Sequence, residues 1–308
     1  MGDLCSMLDE RATWGPAEDA GVEVTVRRLD RVGGNKGFKL ALNVERALAL
    51  PSRALLTFGG PWSNHLHATA LAGKAAGVRT IGIVRGGEVE TVTMRECREA
   101  GMELVPVSRA EYAERGEEAY LAGLRDRFGR PWVVPEGGAN VLGLQGCQGI
   151  LRADEAWDAV VVAAGTGTTL GGMALRTGGA APLVAVSALK GVDHRPAVER
   201  LLHWSVGDAE WAAELLEGVT WWTDAHAGGF GKLDERVRAD WAEWEGQTQI
   251  PLDRVYTAKL ISRLKTELER PESERHPGMR RGCRVLVIHT GGLQGNRSDG
   301  GGGGVTLA

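Results

Sequence analysis

The chain of 308 residues is 43% apolar and 25% charged, enough to bury a large core, and its length suits two modest domains. A formal charge of −4, with Lys and Arg dispersed along the chain, supplies no basic field for a polyphosphate backbone, so nucleic acid is excluded as a partner. No apolar run reaches the ~20 residues of a membrane span, and the start MGDLCSMLDERATWG has neither a basic opening nor an apolar signal core, so a cytoplasmic protein without membrane contact is expected.

The segment LDRVGGNKGFKLALNVERALAL opens the pattern, its apolar Phe38, Leu40, Leu42, Val44, Ala47 and Leu48 fitting a helix that starts around Lys36. A cation at a helix start opposes the helix dipole. Lys36 is therefore either a solvated surface lysine or one held for a reason, such as neutralisation in an imine. From residue 53 short apolar runs alternate with helix-like stretches: ALLTF (54–58) and a helix ending at Gly77, TIGIV (80–84) and a helix over 93–100, MELVPV (102–107) and a helix over 109–128, then PWVVP (131–135). A second series follows in DAVVVAAG (158–165), PLVAVSA (182–188), GVTWW (218–222) and CRVLVIHTGG (283–292). Val- and Ile-rich runs without strict alternation suit strands buried on both faces, and the intervening helices imply parallel sheets. The class is α/β, with two sheets and a binding site between them.

Two loops invite chemistry. In TFGGPWSNHLHATA a strand ends in Gly59 and Gly60 and a helix opens near Ser63 or Asn64, either of which serves as an ordinary N-cap; His65 and His67 are two apart and share no helical face for a metal. In VVVAAGTGTTLGGM a buried strand runs into Gly165, Thr166, Gly167, Thr168 and Thr169 and then a helix near Leu170. Glycines that admit a phosphate to backbone N–H groups, threonine hydroxyls and a helix N-terminus make an anion cradle, although an ordinary strand-to-helix turn uses the same letters. The spacing is neither that of the G-x-G-x-x-G fingerprint nor of a Walker loop. Cys5, Cys97, Cys147 and Cys283 lie far apart with no C-x-x-C pair, which excludes a recognisable zinc site and leaves buried or idle thiols. The run of five glycines at 300–304 is expected to be part of a flexible tail over 299–308.

Taken together, GGNKGFK, GGPWSNH, PEGGAN (135–140), GTGTT, DRVYTAK (253–259) and HTGG (289–292) resemble the 1-aminocyclopropane-1-carboxylate deaminase and D-cysteine desulfhydrase family, in the family's order and from about Val24 to Asn296. The resemblance implies a pyridoxal 5'-phosphate enzyme of the tryptophan synthase β-like fold (fold type II), usually a homodimer. It implies a larger cofactor-binding domain from residues 1–50 and 138–298, with a smaller α/β domain inserted over 51–137.

Carried over residue by residue, Lys36 matches the lysine to which the cofactor is attached, and Lys39 a second lysine that reaches the phosphate. The loop of Gly165, Thr166, Gly167, Thr168 and Thr169 becomes the phosphate cup, and Asn64 matches the asparagine beside the ring hydroxyl. Ser63, Asn64 and His65 match residues around the substrate carboxylate, Tyr256 an aromatic group near the cofactor, and Thr290 the position opposite the pyridine nitrogen. Lys36, Ser63 and Tyr256 are the implied catalytic residues.

Departures from the family pattern bear on substrate. Position 257 is Thr where the ring-opening deaminases have Glu, and Thr290 replaces an apolar residue, as in the desulfhydrase-like members. A second tyrosine is absent from HAGGFGK (226–232), where Phe230 is the nearest aromatic residue. A neutral partner for the ring nitrogen makes a weaker electron sink, which argues against ring opening. The implied reaction is deamination of a small amino acid: the substrate displaces Lys36, the released amine removes the α-proton and a β-substituent departs. D-cysteine would give pyruvate, sulfide and ammonia. The alternatives are ring opening or another lyase reaction on the same cofactor and, in another class, a phosphate-ligand binding protein without chemistry.

Overall fold

Small and β-branched residues make the sheets of this computed structural model, which describes residues 7–86, 90–152, 154–229 and 231–298. The strands among them are β1 (Asp9–Arg11), β2 (Glu23–Arg28), β3 (Ala54–Gly59), β4 (Arg79–Arg85), β5 (Glu103–Val107), β6 (Trp132–Val134), β7 (Ala159–Ala164), β8 (Leu183–Ser187), β9 (Thr220–Trp222) and β10 (Arg284–His289). One sheet has the order β5-β4-β3-β6, the other β1-β2-β10-β7-β8-β9. Every residue of β3 and of β7 is buried, as expected of strands covered on both faces. Alternate residues of β7 and β10 enter opposite layers: Val161, Val285 and Val287 pack with the helix Thr257–Leu268, whereas Val160, Val162, Leu286 and Ile288 pack with the helices Val141–Cys147 and Thr168–Thr177.

Strand order explains where a ligand goes. In the smaller sheet the chain moves outward from β3 to β4 to β5 and then returns to the other side of β3 as β6; in the larger it moves from β7 to β8 to β9 and returns beside β7 as β10. Each reversal leaves a crevice at the carboxyl ends of two neighbouring strands. The loops after β3, β6, β7 and β10 all line a single cavity.

Three expectations are corrected. The segment 109–128 is not one helix: Arg109–Ala113, capped by Ser108, leads into the 3-10 turn Glu114–Gly116, extended Glu117 and a new helix, Glu118–Arg127. Gly116 favours the break, and the run ERGEE has no apolar stripe to hold a helix across it. The helix after the GTGTT loop starts at Thr168, before Leu170, so two threonines lie in its first turn. Finally, β1 is antiparallel to β2 at the edge of an otherwise parallel sheet. No helix among the described residues is long and apolar enough to cross a membrane.

Candidate active site

The GGNK loop is locked to the HTGG loop by backbone. Gly34 has φ +73°, and a Cβ there would stand 2.7 Å from the Thr290 carbonyl oxygen, so both conformation and contact require glycine. The N–H of Asn35 donates to that same carbonyl at 3.0 Å. The Asn35 side chain donates to Thr169 Oγ1 at 3.0 Å and accepts from Lys36 Nζ at 3.1 Å, which aims Lys36 into the cavity. Burial, and then the neighbouring charge of Lys39, bring the Lys36 ammonium down to about 7.

One turn along the helix Asn35–Leu48, Lys39 Nζ donates to Thr166 Oγ1 at 3.3 Å and to the Gly137 carbonyl at 3.4 Å. Burial lowers its pKa as well. Thr166 Oγ1 is 2.9 Å from Thr168 Oγ1, and Gly167, at φ +73°, caps the helix Thr168–Thr177, whose first turn holds no acidic residue. Lysine, hydroxyl and helix N-terminus thus converge on one place. Behind it Cys147 is buried, and desolvation pushes its thiol up, the state of an inert core cysteine.

Across the cavity, Ser63 caps the helix Asn64–Ala76, its Oγ accepting from the N–H groups of His65 and Leu66 at 3.2 Å. Asn64 Oδ1 is buried without a hydrogen-bond partner. Thr57 donates to the Val134 carbonyl at 2.7 Å and lies 2.9 Å from His65 Nε2, so His65 carries its proton on Nε2 and leaves Nδ1 a buried acceptor without a partner. Burial, with Lys36 and Lys39 nearby, holds this imidazole neutral, well below its ordinary pKa.

Tyr256 lies over the loop that follows β7, its ring 3.0 Å from where a Cβ on Gly165 would stand. Burial first, then Asp253 and Glu136, push its hydroxyl up and keep it a phenol. Asp253 sets this corner: its carboxylate accepts from the N–H groups of Val255, Tyr256 and Thr257 at 3.0, 2.8 and 3.0 Å and from the Thr257 hydroxyl at 2.7 Å. Thr257 is thereby turned away from the cavity, whereas Thr290 lines it.

The cavity, about 940 Å³, brings together Lys36, Lys39, Ser63, Asn64, His65, Gly165, Thr166, Gly167, Thr169, Tyr256 and Thr290. Of the expected residues only Thr168 is absent from its wall, being fully buried behind Thr166. Phe230 lies outside the described residues. Sequence reasoning missed Arg85, Arg115, Glu136 and Lys232 on the wall, and Asp253 behind it. Asp253 had a signal in LDRVYT, an acid placed just before a helix start; Glu136 lies in PEGGAN and Lys232 in HAGGFGK, strings singled out for other residues, and Arg85 and Arg115 stand in no motif. Among the described residues no group of three or more His, Cys, Asp or Glu is placed to hold a metal.

No family model matches the chain. A provisional 1-aminocyclopropane-1-carboxylate deaminase of Thermotoga maritima is 32% identical over 302 residues, 91% of each chain. The D-cysteine desulfhydrase of Serratia proteamaculans is 28% identical over 296 residues, 88% of this chain and 87% of the relative. The solved structure of a homologue of 1-aminocyclopropane-1-carboxylate deaminase superposes with a TM-score of 0.76 at 26% identity, covering 94% of this chain and 90% of that one. With this sequence likeness over nearly the whole length and the same fold, the chain belongs to the pyridoxal-phosphate-dependent enzyme family of 1-aminocyclopropane-1-carboxylate deaminase and D-cysteine desulfhydrase.

Proposed function

We propose that this enzyme removes a β-substituent and the amino group from a small amino acid, and that D-cysteine, giving pyruvate, sulfide and ammonia, is a substrate its residues fit. The observation that carries the reading is Lys36: a lysine on the cavity wall whose one hydrogen bond among the described residues goes to a neutral amide, and whose ammonium burial and then Lys39 bring down to about 7.

The donor set fits pyridoxal phosphate. Lys36 would carry it, Lys39, Thr166 and the N-terminus of Thr168–Thr177 would meet the phosphate, and the unpartnered amide end of Asn64 would meet the ring hydroxyl. Thr290 would face the ring nitrogen. Bound there, the cofactor supplies an electron sink that makes the α-proton of an attached amino acid acidic.

The protein's own groups do the rest. Freed Lys36 accepts the α-proton as a neutral amine, which burial and Lys39 favour. Ser63, whose Oγ already accepts from two N–H groups, retains its hydroxyl proton for a substrate carboxylate, and the positive end of Asn64–Ala76 favours that carboxylate. His65, held neutral, adds no charge of its own beside it. Tyr256, kept protonated, donates near the cofactor face.

Ring opening of 1-aminocyclopropane-1-carboxylate is the second reading, supported by the name of the Thermotoga maritima relative. It is the weaker one, because Thr290 offers a neutral hydroxyl and the carboxylate of Asp253 is engaged by four donors. The test is a panel of D- and L-amino acids with the cyclopropane substrate, scored for pyruvate, sulfide and 2-oxobutanoate on a yellow, borohydride-sensitive preparation. Release of 2-oxobutanoate alone would reverse the order of the two readings; a colourless protein inert to the panel would defeat both.

A further inference from the structure

Besides Lys36 and Lys39, two basic residues on the cavity wall have no carboxylate partner among the described residues. The wall presents Lys36, Lys39, Arg85, Arg115, Lys232 and Arg254 against one carboxylate, Glu136. Lys36 and Lys39 serve the cofactor in the reading above. Arg115 is paired with Glu136 at 3.0 Å, and Arg254 has interactions of its own. That leaves Arg85 and Lys232, neither of which has a carboxylate within ion-pair distance among the described residues.

Arg85 stands at the exposed end of its strand and rests on an aromatic ring. It ends β4 with its guanidinium carbon 5.5 Å from the centroid of the Tyr112 ring, a ring that Arg115 also approaches at 4.8 Å. Tyr112 in turn meets buried Phe58 edge-on, 6.2 Å between centroids, so the platform belongs to the core of the smaller sheet. From there Arg85 Nη2 reaches within 3.5 Å of where a Cβ on Gly60 would stand, and nothing else lies within 4 Å of that point. Gly60 belongs to the loop that runs into Ser63 and the helix Asn64–Ala76, where the α-carboxylate is placed. A second anion-binding group therefore stands beside the first. Its planar fork of N–H donors suits a carboxylate or phosphate.

We propose that Arg85 is a specificity-determining residue that receives a second negative charge on the substrate, so that the site takes small amino acids bearing an anionic group on the β-carbon. This rests on the β-elimination reading and narrows it. A neutral thiol leaves Arg85 unmatched, whereas an O-phosphorylated β-hydroxy amino acid fills it. In that case the α-proton passes to Lys36 and the Cβ–O bond breaks with its electron pair leaving on phosphate. One water then hydrolyses the released enamine to pyruvate and ammonia, so that substrate and water balance pyruvate, ammonium and inorganic phosphate.

The test uses purified holoenzyme. Calorimetric titration with succinate and with butanoate compares two ligands of equal chain length that differ by one carboxylate. Succinate should bind about tenfold or more tightly than butanoate, and Arg85→Gln should bring the ratio to about one, as expected for a lost charge-assisted pair. Arg85→Lys should keep part of the preference. In turnover, the ratio of kcat/KM for O-phosphoserine, of whichever configuration reacts, to that for D-cysteine should fall about tenfold or more in Arg85→Gln. Equal binding of the two acids by the unaltered enzyme overturns the proposal, as does a variant that lowers both substrates alike. Neither arm depends on the variant alone. Should no amino acid yield pyruvate while succinate keeps its preference, the elimination reading fails and the anion site stands.

Discussion

Lys36 and Lys259 occupy similar places in two different regions, and their fates differ. Each lies in the first turn of a helix, Asn35–Leu48 or Thr257–Leu268, where the dipole disfavours a cation. Burial is the main cause that brings each ammonium down, to about 7 and about 8 respectively. Their partners set them apart. Lys259 donates to the carbonyls of Ala188, His226 and Gly229 at 3.1, 2.9 and 2.6 Å, joining the end of β8 to the loop that precedes Gly231 and Lys232 on the cavity wall. Lys36 has one amide oxygen and a cationic neighbour. A buried ammonium whose three donors are matched ties elements together; one left largely unmatched is available for covalent chemistry.

Deleting each amine should have the largest effects. Lys36→Ala should abolish the yellow colour and all pyruvate formation without lowering the melting temperature of cofactor-free protein, because it removes a poorly satisfied buried cation. A borohydride-reducible adduct persisting at Lys39 would show that the reactive amine had been misplaced. Lys259→Met should do the reverse. It removes the donor to the Ala188 carbonyl and should cost about 2–3 kcal/mol in urea unfolding, while the colour survives under native conditions. Loss of colour at unchanged stability would make Lys259 a cofactor residue and end the contrast.

A subtler effect is expected on titration. Lys36 has its folded-state pKa depressed from 10.5 to about 7, so its neutral amine is present above about 7 and is lost as pH falls through that value. Trapping of pyridoxal, which lacks the phosphate, by borohydride on cofactor-free protein should therefore rise through about pH 7 and level off, with the adduct at Lys36 confirmed by peptide mass. Lys39→Ala should move the midpoint upward, towards but not to the ordinary lysine value, since burial is the larger cause and stays. An unmoved midpoint would mean that burial alone governs Lys36.

The two walls of the cavity were unequally legible in the sequence. The side that would face the cofactor is made of backbone and small residues at strand ends, and a backbone cradle needs consecutive Gly and Thr, so GGNK, GTGTT and HTGG stand out as strings. The other wall is built from ordinary side chains brought together by the sheet: Arg85 ends β4, Arg115 sits in a turn made by the break at Gly116, and Glu136 follows β6. No spacing links them. Strand β2 escaped notice for a related reason. Its residues EVTVRR end in two arginines that read as surface yet are fully buried, because Arg27 is matched by Asp9 and by Glu155, 128 positions away, and Arg28 by Asp30 and Glu10. Lys259 lay in a motif already singled out, but its three carbonyl partners come from two distant loops that only the fold brings together.

The smallest expected effect belongs to Thr290, which serves the Lys36 region twice. Its carbonyl accepts the Asn35 N–H at 3.0 Å and fixes the start of the lysine's helix, whereas its side chain lines the cavity. The two roles separate on substitution, since Thr290→Val keeps the backbone and the shape and loses only the hydroxyl. If that hydroxyl meets the ring nitrogen, a single neutral hydrogen bond is lost, and kcat should fall by a factor of about 5, with a shift in the cofactor absorbance band. Trapping of pyridoxal at Lys36 should keep its midpoint near pH 7, and Thr290→Ser should restore both rate and spectrum. If instead Thr290→Val slows trapping at Lys36 as well, then the side chain, and not only the carbonyl, holds the lysine's helix in place. Lys36 would then depend on a cavity-facing side chain, and partner count alone would no longer distinguish it from Lys259.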